Sequence, residues 1–418
     1  MTRILLLIVP AAIALGQARP ELQLRGDRFP GLTYDQMTPA QKSLTDRALA
    51  ARGTIGTFNI LLRSPELLEV TRGTAGNRSR SELKPKHSEL AIILNARYWT
   101  TQFEWLVHRQ AANTAGLSTE ITTAIAEGRR PTTLAADEAP IYDFIRELLK
   151  YQQVSDATFL AARNLVGEKG IVDAIGIVGF YQGTSMMMNA DRYPMQPGQK
   201  QELKPLENTL PGGPMDFQAL SAGTSVELPG KVQLRGDRFK PLAYDQMTPE
   251  QRTLADLVLS GRIQGGTGGP FNVLLRSPAL GEAILRFGEY VRFRSPLSNR
   301  LNELATLIVT RYWTAQFPWY VHHRAALQAG LAEPVVAAIA QGRRPPSLDA
   351  DEHAVYDFCT ELLRTTQLSD ATFGTAKDRL GERGLVELMG IMGYYGVVSM
   401  AVNTDRYPLP AGVQPELK

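Results

Sequence analysis

The chain has 418 residues, 44% of them hydrophobic and 21% charged, a balance ordinary for globular protein. That length accommodates two or three domains of roughly 100 to 200 residues. A formal charge of +3, with basic residues scattered rather than gathered in runs, gives no support to nucleic-acid binding, and a single cysteine, Cys359, excludes an intramolecular disulfide.

At the start of the chain, Arg3 precedes an apolar stretch over residues 4–16 that contains Pro10, followed by the small residues Gly16 and Ala18. This is the pattern of a secretory signal peptide, assigned to residues 1–18. The stretch falls short of the roughly 20 apolar residues that span a bilayer comfortably. A secreted or periplasmic protein without membrane attachment is therefore expected, a retained anchor being the alternative.

An internal repeat follows. Gln23-Leu24-Arg25-Gly26-Asp27-Arg28-Phe29 recurs at Gln233-Leu234-Arg235-Gly236-Asp237-Arg238-Phe239, and Asp191-Arg192-Tyr193-Pro194 recurs at Asp405-Arg406-Tyr407-Pro408. The offset is 210 at the opening (233 − 23) and 214 at the close (405 − 191), the difference falling near the cluster Gly265-Gly266-Thr267-Gly268-Gly269. Two copies are expected, over residues 22–196 and 232–410, joined by a linker at 197–231 rich in proline, glycine and serine.

Within each copy the punctuation is helical. Ser64-Pro65 and Ser277-Pro278 predict helix starts, and Gly128-Arg129-Arg130-Pro131 and Gly342-Arg343-Arg344-Pro345 predict stops. Residues 139–151 and 354–365 carry amphipathic spacing, with Tyr142, Ile145, Leu148 and Leu149 on one face. Strand alternation is scarce. The expectation is an all-α fold of about six or seven helices per copy, built twice and packed as a pseudo-dimer.

All four tryptophans, Trp99, Trp105, Trp313 and Trp319, fall in two copies of one segment, residues 97–108 and 311–322. In each, a glutamate precedes a histidine by nineteen residues, Glu89 before His108 and Glu303 before His322. Glu89 lies in a stretch apolar nearly all round, where an unpartnered carboxylate is poorly tolerated, so it is a candidate acid or base. On a second helix beginning near Thr101, the side chains of Thr101, Glu104, Trp105, His108 and Ala112 share one face. If the two helices pack together, Glu89, Glu104 and His108 are expected to meet in a pocket walled by Trp99 and Trp105.

Other roles compete with this one. Glu104 also fits a capping box with Thr101, and His108 also fits a hydrogen-bonded core histidine. Recurrence of the Glu–His separation in both copies favours chemistry. Among cations, Arg97 and Arg311 are candidate carboxylate clamps, whereas the Arg-Arg pairs suit the ends of helix dipoles. No metal site is expected, since the second copy has Pro318 where the first has Glu104.

The runs Glu-Leu-Ala, Arg-Tyr-Trp, Gln-Phe-Glu-Trp, His and Ala-Gly-Leu over residues 89–117, and their counterparts over 303–331, resemble the carboxymuconolactone decarboxylase family, whose all-α fold is shared with alkyl hydroperoxidase D. Relatives of the peroxidase type carry a glutamate, a Cys-x-x-Cys pair and a histidine, and the matching positions here are Glu89, Thr101, Glu104 and His108, then Glu303, Ala315, Pro318 and His322. Without thiols, peroxide reduction through that motif is chemically closed. The resemblance implies a decarboxylase-type acid/base enzyme without cofactor, acting on a small carboxylated lactone or related cyclic compound. His108 is then the proton donor, Glu89 its orienting partner, Glu104 a second acid or base, and Arg97 a clamp, with Trp99, Trp105, Trp313, Trp319 and Arg311 around the two sites. It also implies a homo-oligomer, a trimer of tandem chains resembling a hexamer of single copies. A ligand-binding or scaffold protein of the same fold is the alternative.

Overall fold

The computed structural model describes residues 22, 24–52, 59–76, 80–206 and 223–418. The expected signal peptide lies outside them. Among the described residues the fold is all-α with one two-stranded hairpin. The first half contains α1 (Pro39–Arg52), α2 (Pro65–Gly76), α3 (Pro85–Tyr98), α4 (Gln102–Thr114), α5 (Thr119–Ala126), α6 (Ala139–Tyr151) and α7 (Asp156–Asp191). The hairpin of β1 (Thr224–Leu228) and β2 (Val232–Gly236) pairs antiparallel with Thr224 opposite Gly236. The second half follows as α8 (Pro249–Leu259), α9 (Phe271–Leu274), α10 (Pro278–Phe293), α11 (Asn299–Tyr312), α12 (Gln316–Gln328), α13 (Glu333–Ala340), α14 (Ala350–Thr365) and α15 (Asp370–Asp405).

The start and stop signals act where the sequence places them, with one difference. Helices α2 and α10 begin at Pro65 and Pro278, but Ser277 makes no capping bond. The hydroxyls of Ser64 and Ser277 instead donate across the halves, to Glu387 Oε1 at 2.5 Å and to Asp173 Oδ1 at 2.7 Å. A buried carboxylate needs such donors more than a helix end does. After α5, Gly128 adopts a left-handed φ of 75°. There the amides of Gly128 and Arg129 close onto the carbonyls of Ile125 and Ala124, the Schellman pattern that a Cβ would strain.

Two long helices form the centre. Each of α7 and α15 turns at a glycine with positive φ, Gly167 and Gly381. They cross where side chains are smallest: Gly179 lies against Val397 of α15, and Gly183 lies against Gly393, where an added Cβ would sit 3.4 Å from the Gly183 Cα. Nearby, the hydroxyls of Tyr98 and Tyr312 meet at 2.7 Å. The halves then interlock reciprocally. Leu67 of α2 packs on Gly390 of α15, and Leu280 of α10 packs on Gly176 of α7. Arg28 pairs with Asp370 and Arg238 with Asp156, both at 2.7 Å, while Arg63 and Arg276 reach Glu382 and Glu168. Every one of these contacts crosses between halves, so α2 and α10 bury part of their apolar faces against the opposite half. The apolar α15 is long enough to cross a membrane by length and composition, but its apolar window is wholly buried in this interior.

Part of the stretch expected as linker is bound to the first half. The Gln102 side chain donates to the Leu203 carbonyl at 2.6 Å and accepts from the Leu203 amide at 3.1 Å. At the other end of the chain Gln316 makes the same pair of bonds to Leu417. The segment Glu202-Leu203-Lys204 is thus repeated as Glu416-Leu417-Lys418, at the offset of 214 (416 − 202) found elsewhere.

Candidate active site

Helix α3 is buried along nearly its whole length, from His87 to Arg97. Glu89 is therefore an interior carboxylate, 4% exposed, and its partner comes from α4: Glu89 Oε2 lies 2.8 Å from His108 Nδ1. The imidazole rests edge-on against Tyr181 of α7, ring centres 4.9 Å apart. Helices α11, α12 and α15 rebuild this trio. Glu303 Oε2 is 2.7 Å from His322 Nδ1, and His322 meets Tyr395 at 4.8 Å. Because the glutamate engages Nδ1, it holds the ring orientation and leaves Nε2 as the atom able to exchange a proton with a ligand. The tyrosines escaped the sequence reading, although 181 and 395 differ by the same 214 (395 − 181).

Glu104 does not join this pair. Its Oε1 accepts from Asn95 Nδ2 at 3.2 Å and Ser185 Oγ at 3.0 Å, and Asn95 Nδ2 also reaches Ser185 Oγ at 3.1 Å. The capping-box alternative also fails, since Thr101 makes no side-chain cap bond and the Glu104 carboxyl turns inward to α3 and α7. Burial pushes the Glu104 carboxyl up to about 8, with the two donors only partly opposing it. At neutral pH this group is protonated. The second half has no equivalent: Val309, Pro318 and Ser399 occupy the positions of Asn95, Glu104 and Ser185, and the Ser399 hydroxyl has no partner among the described residues.

Three levels of polar contact therefore run along the seam of α3, α4 and α7. Asn189 Nδ2 donates to the Trp99 carbonyl at 2.7 Å beside Thr101; next come Asn95, Glu104 and Ser185; last come Glu89, His108 and Tyr181. Steps of three and four residues on each helix produce this layering. Asn189 also donates to the Thr366 carbonyl at 2.8 Å, across the halves, and Asn403 does the same to Gln152 at 2.9 Å. Both acceptor residues end helices in the left-handed conformation. These asparagines tie the halves together.

The remaining expected site residues are elsewhere. Trp99 and Trp313 are fully packed in the core, and the indole nitrogens of Trp105 and Trp319 each donate at 2.9 Å to a glutamate, Glu202 and Glu416, of the repeated docking segment. Arg97 and Arg311 sit at the far ends of α3 and α11, each reaching a threonine hydroxyl, Thr100 and Thr314, at 3.4 Å. Arg97 is eight residues beyond Glu89, about 12 Å along the helix axis, so it does not approach the Glu–His pair. Arg129 and Arg130 are engaged on the surface by Glu120, Glu127 and Asp143. Cys359 is buried, and burial pushes its thiol well above the ordinary range, so it supplies no reactive thiolate. Among the described residues no cluster of three or more metal-ligating side chains occurs.

A cleft of about 680 Å³ opens at the start of α4, lined by residues of both halves including Thr101, Phe103, Tyr193, Leu203 and Thr366. None of the glutamates, histidines, tryptophans or arginines expected at the site lines it. Compared with known proteins, the chain matches no family model and no curated protein.

Proposed function

We propose that the protein is an acid/base enzyme of the carboxymuconolactone decarboxylase type, acting on a small carboxylated lactone or related cyclic compound after export. The observation that carries this reading is the Glu89–His108 contact at 2.8 Å, made by residues of different helices in a largely desolvated setting. Breaking the bond to the departing carboxylate releases carbon dioxide and leaves its electron pair on the ring as a dienolate-like anion. His108 in its charged form gives a proton from Nε2 to that carbon and is recharged from solvent. Glu89, carrying the opposite charge, stabilises the imidazolium. Glu104 acts behind the pair as a neutral group, and the second half, with Pro318 in place of Glu104, serves packing more than turnover. Assembly into a ring of tandem chains belongs to the same proposal. Thiol peroxidase activity does not.

The alternative of a binding protein draws on the cleft, which none of the expected catalytic side chains lines. Product analysis separates the two. Release of carbon dioxide from carboxylated lactones, lost in His108→Gln while the fold is kept, supports the enzyme. Ligand stabilisation without product from any of them overturns it.

A further inference from the structure

We propose that the face of α12 formed by Gln316, Trp319 and His323 is a proton-gated peptide site, which holds Glu416-Leu417-Lys418 firmly while His323 is charged and loosens as the imidazole loses its proton. Both halves carry such a groove, and each is filled by a Glu-Leu-Lys segment. The Gln102 and Gln316 side chains act as a strand edge would, donating to the leucine carbonyl at 2.6 and 2.7 Å and accepting from the leucine amide at 3.1 and 3.2 Å. Leu203 and Leu417 are buried. Trp105 and Trp319 fix the glutamate, each donating from Nε1 at 2.9 Å. Backbone bonds, an apolar pocket and a corner that reads an acid are the elements of short-peptide recognition.

That corner differs between the halves. In the first, the cation is Arg109, whose guanidinium lies 2.9 Å from Glu202 Oε1 and stays charged at every pH a folded protein meets. The matching residue of the second half is His323, at the offset of 214 (323 − 109), with Nδ1 2.7 Å from Glu416 Oε2. Its Nε2 lies 3.8 Å from Glu333 of α13, where the first half has Thr119, so carboxylates stand at both ring nitrogens. Among the described residues His323 makes no other ion pair, and α15 contributes none. Arg311 of α11 is committed to the Lys418 carbonyl at 2.9 Å, and Arg324, next on α12, lies over the Tyr320 ring. Docking and a charged ring therefore support each other. Since histidine is the side chain that ordinarily changes charge between about pH 5 and 8, the hold weakens as pH rises through that window. A neutral ring can still donate from Nδ1 to Glu416, and the tethered segment rebinds its own groove, so the contact loosens rather than disappears. Leu203 also walls the cleft at the start of α4. Loosening Leu417 uncovers the matching end of α12.

Hydrogen exchange of the whole protein, read by mass spectrometry from about pH 5.5 to about 8.5, tests it. Exchange of the amides in 416–418 and in 202–204 is divided by that of free synthetic peptides of the same sequences at the same pH, which removes the intrinsic effect of hydroxide. Protection of 416–418 is expected to fall roughly 5-fold across the window, as loss of a partly exposed charge pair requires, while that of 202–204 changes by less than about 2-fold. His323→Arg, which gives the second half the cation of the first, is expected to remove the fall. So is Glu416→Gln, which leaves the Gln316 bonds and the Leu417 pocket in place. Far-ultraviolet circular dichroism at each pH checks that each protein is folded. An equal change in the two segments of the parent protein, or a fall that persists in folded His323→Arg, overturns the proposal. Neither variant touches the Glu89–His108 pair, so failure of the acid/base reading and failure of this one are read on different proteins.

Discussion

The two halves carry the same glutamate, histidine and tyrosine in the same geometry, yet they differ in what covers those groups and in what lies beside them. The His108 side chain keeps 14% of its surface exposed over a Glu89 at 5%, whereas His322 is at 6% and Glu303 at 18%. One half presents the imidazole and the other presents the carboxylate. The layer beneath differs more: Asn95, Glu104 and Ser185 form a closed hydrogen-bonded group, and Val309, Pro318 and Ser399 form none. Both halves carry the interlocking arms and the Asn189 and Asn403 ties, which packing requires. The polar layer is present in one half and absent from the other, and packing does not require it, as an apolar pair of similar volume is no less stable.

The largest effect expected from this comparison is on turnover. His108→Gln should lower carbon dioxide release from a carboxylated lactone by 10² to 10⁴, the usual contribution of a positioned proton carrier, while His322→Gln should change it by less than a factor of about three. Equal losses in the two variants, measured at saturating substrate, would erase the functional distinction between the halves.

Stability against pH separates the halves next. The Glu104 carboxyl titrates near 8 in the folded protein, against an ordinary value of 4.5. Between those values the unfolded chain gives up its proton and the folded one retains it, so the folded state is progressively disfavoured as pH rises from 4.5 to 8 and the loss is flat above. The full difference is on the order of 5 kcal/mol. Glu104→Gln, which keeps an acceptor for Asn95 and Ser185, should therefore be more stable than the parent at pH 8 and indistinguishable at pH 4. Parallel urea midpoints across that range would refute the assignment of a buried neutral acid.

Where the halves agree, a substitution should cost the same in both. Asn189→Ala and Asn403→Ala each remove two hydrogen bonds, one within the half and one across to Thr366 or Gln152. Each is expected to destabilise by about 2–4 kcal/mol in chemical denaturation, as two buried carbonyls lose their donors. A marked inequality between them would mean that the interface is not equivalent on its two sides.

Much of this was legible because repetition filters a sequence. Helix starts at Pro65 and Pro278, the stop at Gly128, and the Glu89–His108 contact all follow from local signals or from a spacing seen twice. Arg97 stands apart from the pair because eight residues on a helix place it about two turns from Glu89, a step of geometry that sequence proximity to the tryptophans conceals. The Glu104 partners were not legible: Ser185 lies 81 residues off and the second half has no such group to compare. Glu202 was hidden by composition, the proline and glycine around it suggesting a free linker, although Glu-Leu-Lys returns at 416–418.

The smallest effect concerns residues that both halves share and that a substrate clamp would need. Arg130 pairs with Asp143 at 2.7 Å and Arg344 pairs with Asp357, all four side chains about half exposed or somewhat less. Exposed pairs of this kind contribute roughly 0–1 kcal/mol, because water screens the attraction and two long side chains lose freedom. Each sits just past a helix end whose dipole favours positive charge, so the sequence has reason to keep arginine there without any ligand. Arg130→Gln and Arg344→Gln should then shift stability by less than about 1 kcal/mol and leave turnover within a factor of two. If either variant instead lost substrate affinity tenfold while folded, an anion would have to enter from that surface, and the ion pair with Asp143 or Asp357 would not be the arginine's whole role.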